Sequence, residues 1–239
     1  MSGWAAKRFW AEVSTIPCDG GFTVRLDARA IKTPAKAALV VPTVGLAEAM
    51  AAEWRAQIGP VRPATMPLTR MANSAIDKVT PQFGAVADLV AAYGASDLLC
   101  YRAEGPDSLI ARQAAGWDPW LDWVSDILRA PLTVTAGVIP VAQPIPSLAR
   151  LSARVSALSP FALAALHDLV AISGSLVLGL AVIEQKLSAG AAFDLSRIDE
   201  HWQAELWGRD EDAADVEARK RAAMEEAERF LGLSGPVVA

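Results

Sequence analysis

The stretch from Phe161 to Ile183, FALAALHDLVAISGSLVLGLAVI, constrains this chain more than any other part of it. Such a mostly apolar stretch of 23 residues must either cross a membrane or lie inside a core. His167 and Asp168 interrupt the run, leaving fifteen uncharged residues from Leu169 to Ile183. A spanning helix needs about 18 or more. The stretch therefore reads as a buried central helix, and stable membrane insertion is not expected. Ser175 and Gly179, four positions apart, would let a neighbouring helix come close. A helix that is apolar on every side needs a full shell of other elements around it. The chain has 239 residues, 53% of them hydrophobic, enough for one large domain or two modest ones.

The shell is legible in outline. RFWAEVSTI reads as a strand, CDGG as a glycine turn, and FTVRLD as an alternating strand. Asp27-Ala28-Arg29 turns the chain into AIKTP, and ALVVP is one more short strand closed by Pro42. Thr43 is positioned to cap a helix VGLAEAMAAEWRAQ, whose Leu46, Met50 and Trp54 form one apolar stripe. Three prolines in IGPVRPATMP make an extended linker. Beyond it the pattern is mainly helical. MPLTRMANSAIDKV is one short helix, and Thr80-Pro81 starts the next. SLIARQAAGWDPWLDWVSDIL is a helix with a break expected before Pro119, and LTVTAGVIPV is β-rich and able to pair with DLLCYR. Ser147 and Ser159 are expected to cap two helices, Ser188 to cap one running to Gly208, and a last helix to run from about Asp210 to Leu231. Strands first and helices after imply an α+β chain. The expected division is a small antiparallel β-rich domain with one helix over residues 1–66, then a larger mainly helical domain over 67–239.

Little in the sequence suggests chemistry. The motifs GxxxxGK[ST], GxGxxG and GxSxG are all absent. Two histidines with Cys18 and Cys100 do not make an ordinary zinc site. No catalytic residue, cofactor or metal is expected. Neighbouring helix residues such as His167 and Asp168 point about 100° apart, so they read as structural, and His201 reads as a surface residue. The competing reading is a small-molecule enzyme using Asp199 and Glu200 with His201 or His167, which would need one carboxyl desolvated.

Charge and tryptophan are more informative. The net charge of −5 disfavours nucleic acid as a partner. From Asp199 to Arg229 there are eleven acidic and five basic residues, while the rest of the chain is almost neutral. Such a run is either a solvated helix face or an electrostatic surface for a basic partner. Trp117, Trp120 and Trp123 recur at helical spacing, and Trp202 and Trp207 flank Glu205. Core packing and an aromatic binding surface both fit this pattern. The start, MSGWAAKRFWAEV, lacks the features of a signal or transit peptide, which leads us to expect a cytoplasmic protein with reduced thiols.

Several of these pieces occur in one order. KRFW, VRLDARAIKTP, AAEWRAQ, MPLTRMANSAIDKV, YGASDLLCYRA, QAAGWDPWLDW, SGSLVLGLAVI and DEHWQAELWGRDEDA together resemble the assembly chaperones of the F1-ATPase alpha subunit, mitochondrial and bacterial. The resemblance implies a non-catalytic protein, and the lack of a targeting extension, unlike in eukaryotic members, points to a bacterial cytoplasm. With no ATP motif it is expected to act without ATP, as a monomer when free. It would bind unassembled alpha subunit and shield the surface meant for beta. It also implies that the acidic helix before the W-G dipeptide carries the function, here with Asp199, Glu200, Trp202, Glu205, Trp207 and Asp210. Reversing charge at Asp199 and Glu200 together is then expected to weaken binding without lowering stability.

Overall fold

The computed structural model describes residues 7–208 and 211–238. Three strands, β1 (Val13–Cys18), β2 (Gly21–Leu26) and β3 (Arg29–Ala30), precede a series of helices: α1 (Val44–Arg55), α2 (Pro67–Ser74), α3 (Phe83–Ala91) and α4 (Asp107–Asp126). The series continues with α5 (Ile145–Ser156), α6 (Pro160–Ser173), α7 (Leu176–Ile183), α8 (Ala189–Ser196), α9 (Ile198–Trp207) and α10 (Glu211–Leu233). Short strands β4 (Tyr101–Arg102) and β5 (Thr135–Ala136) flank α4 and pair in parallel. The fold class is α+β, as the order of patterns implies.

The chain forms two compact units. The first gathers residues up to Phe83 with 159–165 and the segment from Arg229 onward, so it is not contiguous in sequence. Its sheet is antiparallel in the order β1-β2-β3, with Ile16 opposite Thr23 and Val13 opposite Leu26. Thr23, Val24 and Leu26 are buried, and α1 packs against β1 and β2 with Leu46, Ala47, Met50 and Ala51 buried. Gly21 is required here. Its φ is +149°, and a Cβ would stand 2.3 Å from the Val41 carbonyl oxygen. That close approach is what lets Val41 and Phe22 exchange backbone hydrogen bonds of 2.8 and 2.9 Å.

The recurring motifs of this half have structural explanations. Asp27, with φ at +53°, accepts from the backbone N–H groups of Ala11 and Glu12. The carboxylate of Glu53 accepts from the N–H groups of Leu68 and Thr69 at 2.8 and 2.9 Å, satisfying donors at the start of α2. Gln57 accepts from Arg62 N–H and donates to Thr65, pinning the proline linker. Asp77 accepts from Ala35 N–H just after IKTP. At the C-terminal end Phe230 stacks on Phe161 with centroids 5.9 Å apart, and the Thr43 hydroxyl donates to the Leu233 carbonyl.

Several local expectations need correction. Arg8 to Trp10 lie outside β1, where Trp10 is buried edge-on against Trp54 and beneath the Arg8 guanidinium. ALVVP forms isolated bridges through Ala38 and Val41 rather than a strand. Thr80-Pro81 starts no new helix. The chain turns on through a π-helical turn, Ala75–Val79, and a 3-10 turn, Thr80–Gln82, into α3, and the Thr80 hydroxyl donates back to the Ala75 carbonyl. By length and composition the whole helical run Pro67–Cys100 is apolar enough to cross a membrane, but it is segmented in this way. Pro119 sits inside an unbroken α4. Ser147 caps nothing and instead donates to the Pro131 carbonyl from a buried position.

The second unit holds 84–158 and 166–228. Its centre is α7, all eight of whose residues are buried. The long helix expected over 161–183 is two helices, because Gly174 adopts φ +74° and Ser175 caps α7 by accepting from Leu178 N–H. Gly179 then faces α6 directly. A Cβ there would lie 2.6 Å from Val170 and 2.9 Å from Leu166. Asp97, completely buried, holds the break: its carboxylate accepts from Ser175 Oγ, Val177 N–H and Leu99 N–H. Loss of hydration pushes the Asp97 carboxyl up to about 6, against the pull of those hydrogen bonds. Burial, with the Asp97 charge nearby, pushes the Cys100 thiol up to about 12, so it packs as an inert apolar group.

Candidate functional site

The helix expected from Ser188 to Gly208 is also two. Ser188 caps α8 by accepting from Ala191 N–H, and the chain breaks at Arg197 before α9. Gly208, at φ +91°, ends α9 as expected. Five of the acidic and aromatic residues singled out above lie on α9 with different surroundings, and the break at Arg197 decides which way each one faces.

Asp199 is half-buried and accepts a 2.6 Å hydrogen bond from Gln113 Nε2, whose side chain is fully buried in α4 and whose Oε1 accepts from Ala103 N–H. Glu205, on the exposed side, receives two hydrogen bonds from Arg112, at 2.7 and 2.9 Å. That pairing holds the Glu205 carboxyl below the usual carboxylate range and the Arg112 guanidinium above its own. The same guanidinium lies over the half-buried Trp202 ring, 4.9 Å from its centre. Gly116 lets α4 lie close to the start of α9, since a Cβ would come within 2.7 Å of Ile198 and 3.2 Å of Leu195. Consecutive residues of α4 therefore clamp α9, one through its buried edge and one through its exposed edge.

Glu200 is exposed and pairs with Arg197 at 2.6 Å. Trp207, at the end of α9, is 78% exposed, and Leu206 beside it is 58% exposed. An apolar pair this open at a helix end gains nothing from the fold. Asp210 lies outside the described residues. Asp199 is the partner of a buried amide, so its geometry gives reversal of this charge a cost in stability as well as in binding.

The other tryptophans divide. Trp117 is buried, donates to the Leu195 carbonyl at 2.8 Å and carries Arg102 over its ring. Trp120 and Trp123 are half-buried and meet edge to face. His167 and Asp168 do reach each other, at 3.0 Å, with both side chains over two-fifths exposed, contrary to the helical-spacing argument. His201 is no plain surface residue either; it is half-buried and contacts Glu217 at 2.6 Å. Asp199, Glu200 and His201 thus engage three different partners and do not converge on a cavity. Among the described residues no group of three or more His, Cys, Asp or Glu is placed to hold a metal ion.

Sequence reasoning missed Arg112, Gln113 and Arg197. Arg112 and Gln113 stand 93 and 86 positions from their partners, and no local pattern marks them.

Solved structures resemble the whole chain. The Atp12 of Paracoccus denitrificans is 53% identical with a TM-score of 0.94, covering 97% of this chain and all of that one. The Atu1473 protein of Agrobacterium tumefaciens is 39% identical with a TM-score of 0.91, covering 95% of this chain and 85% of that one. The mitochondrial protein atp12 of Schizosaccharomyces pombe is 26% identical over 223 residues, 88% of this chain and 77% of its own length. A small antiparallel sheet with a helical remainder, matched over nearly its full length in this way, defines a chaperone. The chain belongs to the family of the ATP12 chaperone protein, whose family model matches residues 7–125.

Proposed function

We propose that this ATP12-family assembly chaperone of ATP synthase binds the unassembled alpha subunit of F1-ATPase and covers its beta-facing surface until the catalytic head forms. The observation that carries this reading is the open Leu206–Trp207 pair on a helix clamped by Arg112 and Gln113. A subunit awaiting assembly exposes apolar interface, and a rigid aromatic anchor binds such a surface with little loss of conformational entropy. Burying one tryptophan removes roughly 150–250 Å² from water. At about 25 cal/mol per Å², this gives on the order of 4–6 kcal/mol before the costs of association. Glu200 supplies an acidic rim that orients a basic partner.

The protein acts without ATP and without catalysis, as a cytoplasmic monomer, and the beta subunit releases the client by competing for the same surface. An enzyme built on Asp199, Glu200 and the histidines has no observation in its favour, since those groups diverge. The test is light scattering of isolated alpha subunit with and without the chaperone, followed by addition of beta subunit. Suppressed aggregation and release by beta are expected. Aggregation unchanged by a stoichiometric amount would end the proposal.

A further inference from the structure

We propose that a groove in the second unit, beside the start of α9, is a subsite for an extended client segment carrying an apolar residue next to a lysine or arginine. This rests on the client reading above and names the chemistry of the segment. The groove has a volume of about 500 Å³ and is lined by Leu98, Tyr101, Val138, Ala171 and Ile172, with Arg197 at its edge. Val138 is 89% exposed, while Leu98, Tyr101 and Ile172 are half-buried, so one wall is an apolar side chain with almost nothing against it.

The floor is built rather than collapsed. Leu98 N–H donates to the Gly174 carbonyl at 3.1 Å, and behind it the Asp97 carboxylate ties the same turn to the start of α7. Two of the polar groups nearby are already engaged: the Ser173 hydroxyl donates to the Leu169 carbonyl, and Arg197 is paired with Glu200 and lies over the Phe193 ring. The lining is mainly apolar, so an aliphatic or aromatic side chain fits it without needing a polar partner.

Charge at the rim selects what flanks that side chain. The Arg197 cation is held by Glu200 and only 19% exposed, while Glu200 is 52% exposed. A carboxylate offers about four acceptor positions, so Glu200 retains capacity for an incoming ammonium or guanidinium. Glu200 stands on the same helix as Trp207, roughly 10 Å along the axis at 1.5 Å per residue. About three residues of extended chain cover that distance. The groove, the acidic rim and the aromatic end of α9 therefore form one track on this unit.

The test uses the full chain and two labelled, blocked hexapeptides, one alternating leucine with lysine and one alternating leucine with glutamate. The lysine peptide is expected to bind at least tenfold more tightly by fluorescence anisotropy, and Glu200→Gln to remove most of that difference. Ala171→Trp fills the groove from an exposed position. It should abolish peptide binding and weaken capture of isolated alpha subunit about tenfold at an unchanged thermal midpoint. Val138→Asp serves the same purpose should Ala171→Trp lower the midpoint. Equal binding of the two peptides overturns the inference. Groove substitutions that leave alpha-subunit capture intact, while Trp207→Ala weakens it, overturn the subsite and leave the chaperone reading standing. Peptide discrimination without any alpha-subunit complex supports the groove chemistry and overturns the choice of client.

Discussion

Arg112 donates to both carboxylate oxygens of Glu205, at 2.7 and 2.9 Å, joining α4 to α9 across 93 positions of sequence. Both side chains are solvent-accessible, so the pair sets the direction of α9 more than the stability of the fold. Arg112→Ala is expected to return the Glu205 carboxyl upward toward its ordinary range, because the group that depresses it is gone. The shift is measurable by NMR titration of the side-chain carboxyl. Depression of the Glu205 carboxyl favours the folded state above the unfolded-state pKa and is lost as pH falls through the folded one. An unchanged Glu205 titration in the variant would remove the clamp.

Asp199 and Glu200 are adjacent in sequence and opposite in consequence. Asp199→Ala leaves the buried Gln113 Nε2 without its 2.6 Å partner, and an unsatisfied buried donor costs about 1–3 kcal/mol. Glu200→Ala breaks only an exposed pair with Arg197, and should stay within about 0.5 kcal/mol of the parent. Urea denaturation of the two variants separates them. Equal losses would mean that the half-buried carboxylate does nothing for the fold.

The buried Asp97 predicts a pH dependence with a definite sign. Its carboxyl lies at about 6 in the folded state, against an ordinary value of 3.8. Between those values the folded chain holds the proton that the unfolded chain has released. Stability therefore falls as pH rises from about 4 to about 6, by on the order of 3 kcal/mol. Asp97→Asn has no such proton. Wild type should gain on this variant by about that amount as pH is lowered through the window, whatever the fixed cost of the amide. Parallel stability curves from urea denaturation at pH 4 to 7 would contradict it.

The fold class was legible because the periodicities of β2, α1 and α4 are local and strong, and the caps at Thr43, Ser159 and Ser188 act within one turn. The breaks were not. Gly174 reads as one more small residue in an apolar run, and the carboxylate of Asp97, which joins the Ser175 cap in satisfying the start of α7, lies far earlier in the chain. Pro119 reads as a breaker, yet α4 continues because Gln113, Trp117, Leu121 and Val124 are all buried along one side of it. The same limit applies to the site. Composition located the acidic and aromatic helix, but which of its residues face inward depends on Arg112, Gln113 and Gly116, whose partners are distant in sequence.

Gly179 tests how tightly α7 is held. Its missing side chain would meet Val170 at 2.6 Å, and Val170 is a branched residue with little freedom to withdraw. Gly179→Val should cost about 1–3 kcal/mol or more through overpacking, seen as a lowered urea midpoint. Gly84→Ala, at a position with nothing within 4 Å of the added carbon, is the matched control and should leave the midpoint unchanged or raised.

Salt separates the two parts of the proposed binding surface. Glu200 is exposed, so its attraction for a basic client is screened over about 10 Å at 0.1 M salt, whereas burial of Trp207 is not screened. Affinity for isolated alpha subunit should fall several-fold between roughly 0.05 and 0.5 M NaCl. Glu200→Lys should weaken binding at low salt and flatten or reverse that dependence. Trp207→Ala should lower affinity at every salt concentration by about tenfold or more, as loss of a hot-spot tryptophan does, and keep the wild-type slope. Isothermal titration over the salt series reads both effects. A Trp207→Ala protein with wild-type affinity would move the anchor off α9, and a Glu200→Lys protein with the wild-type slope would make the acidic run a solvated face.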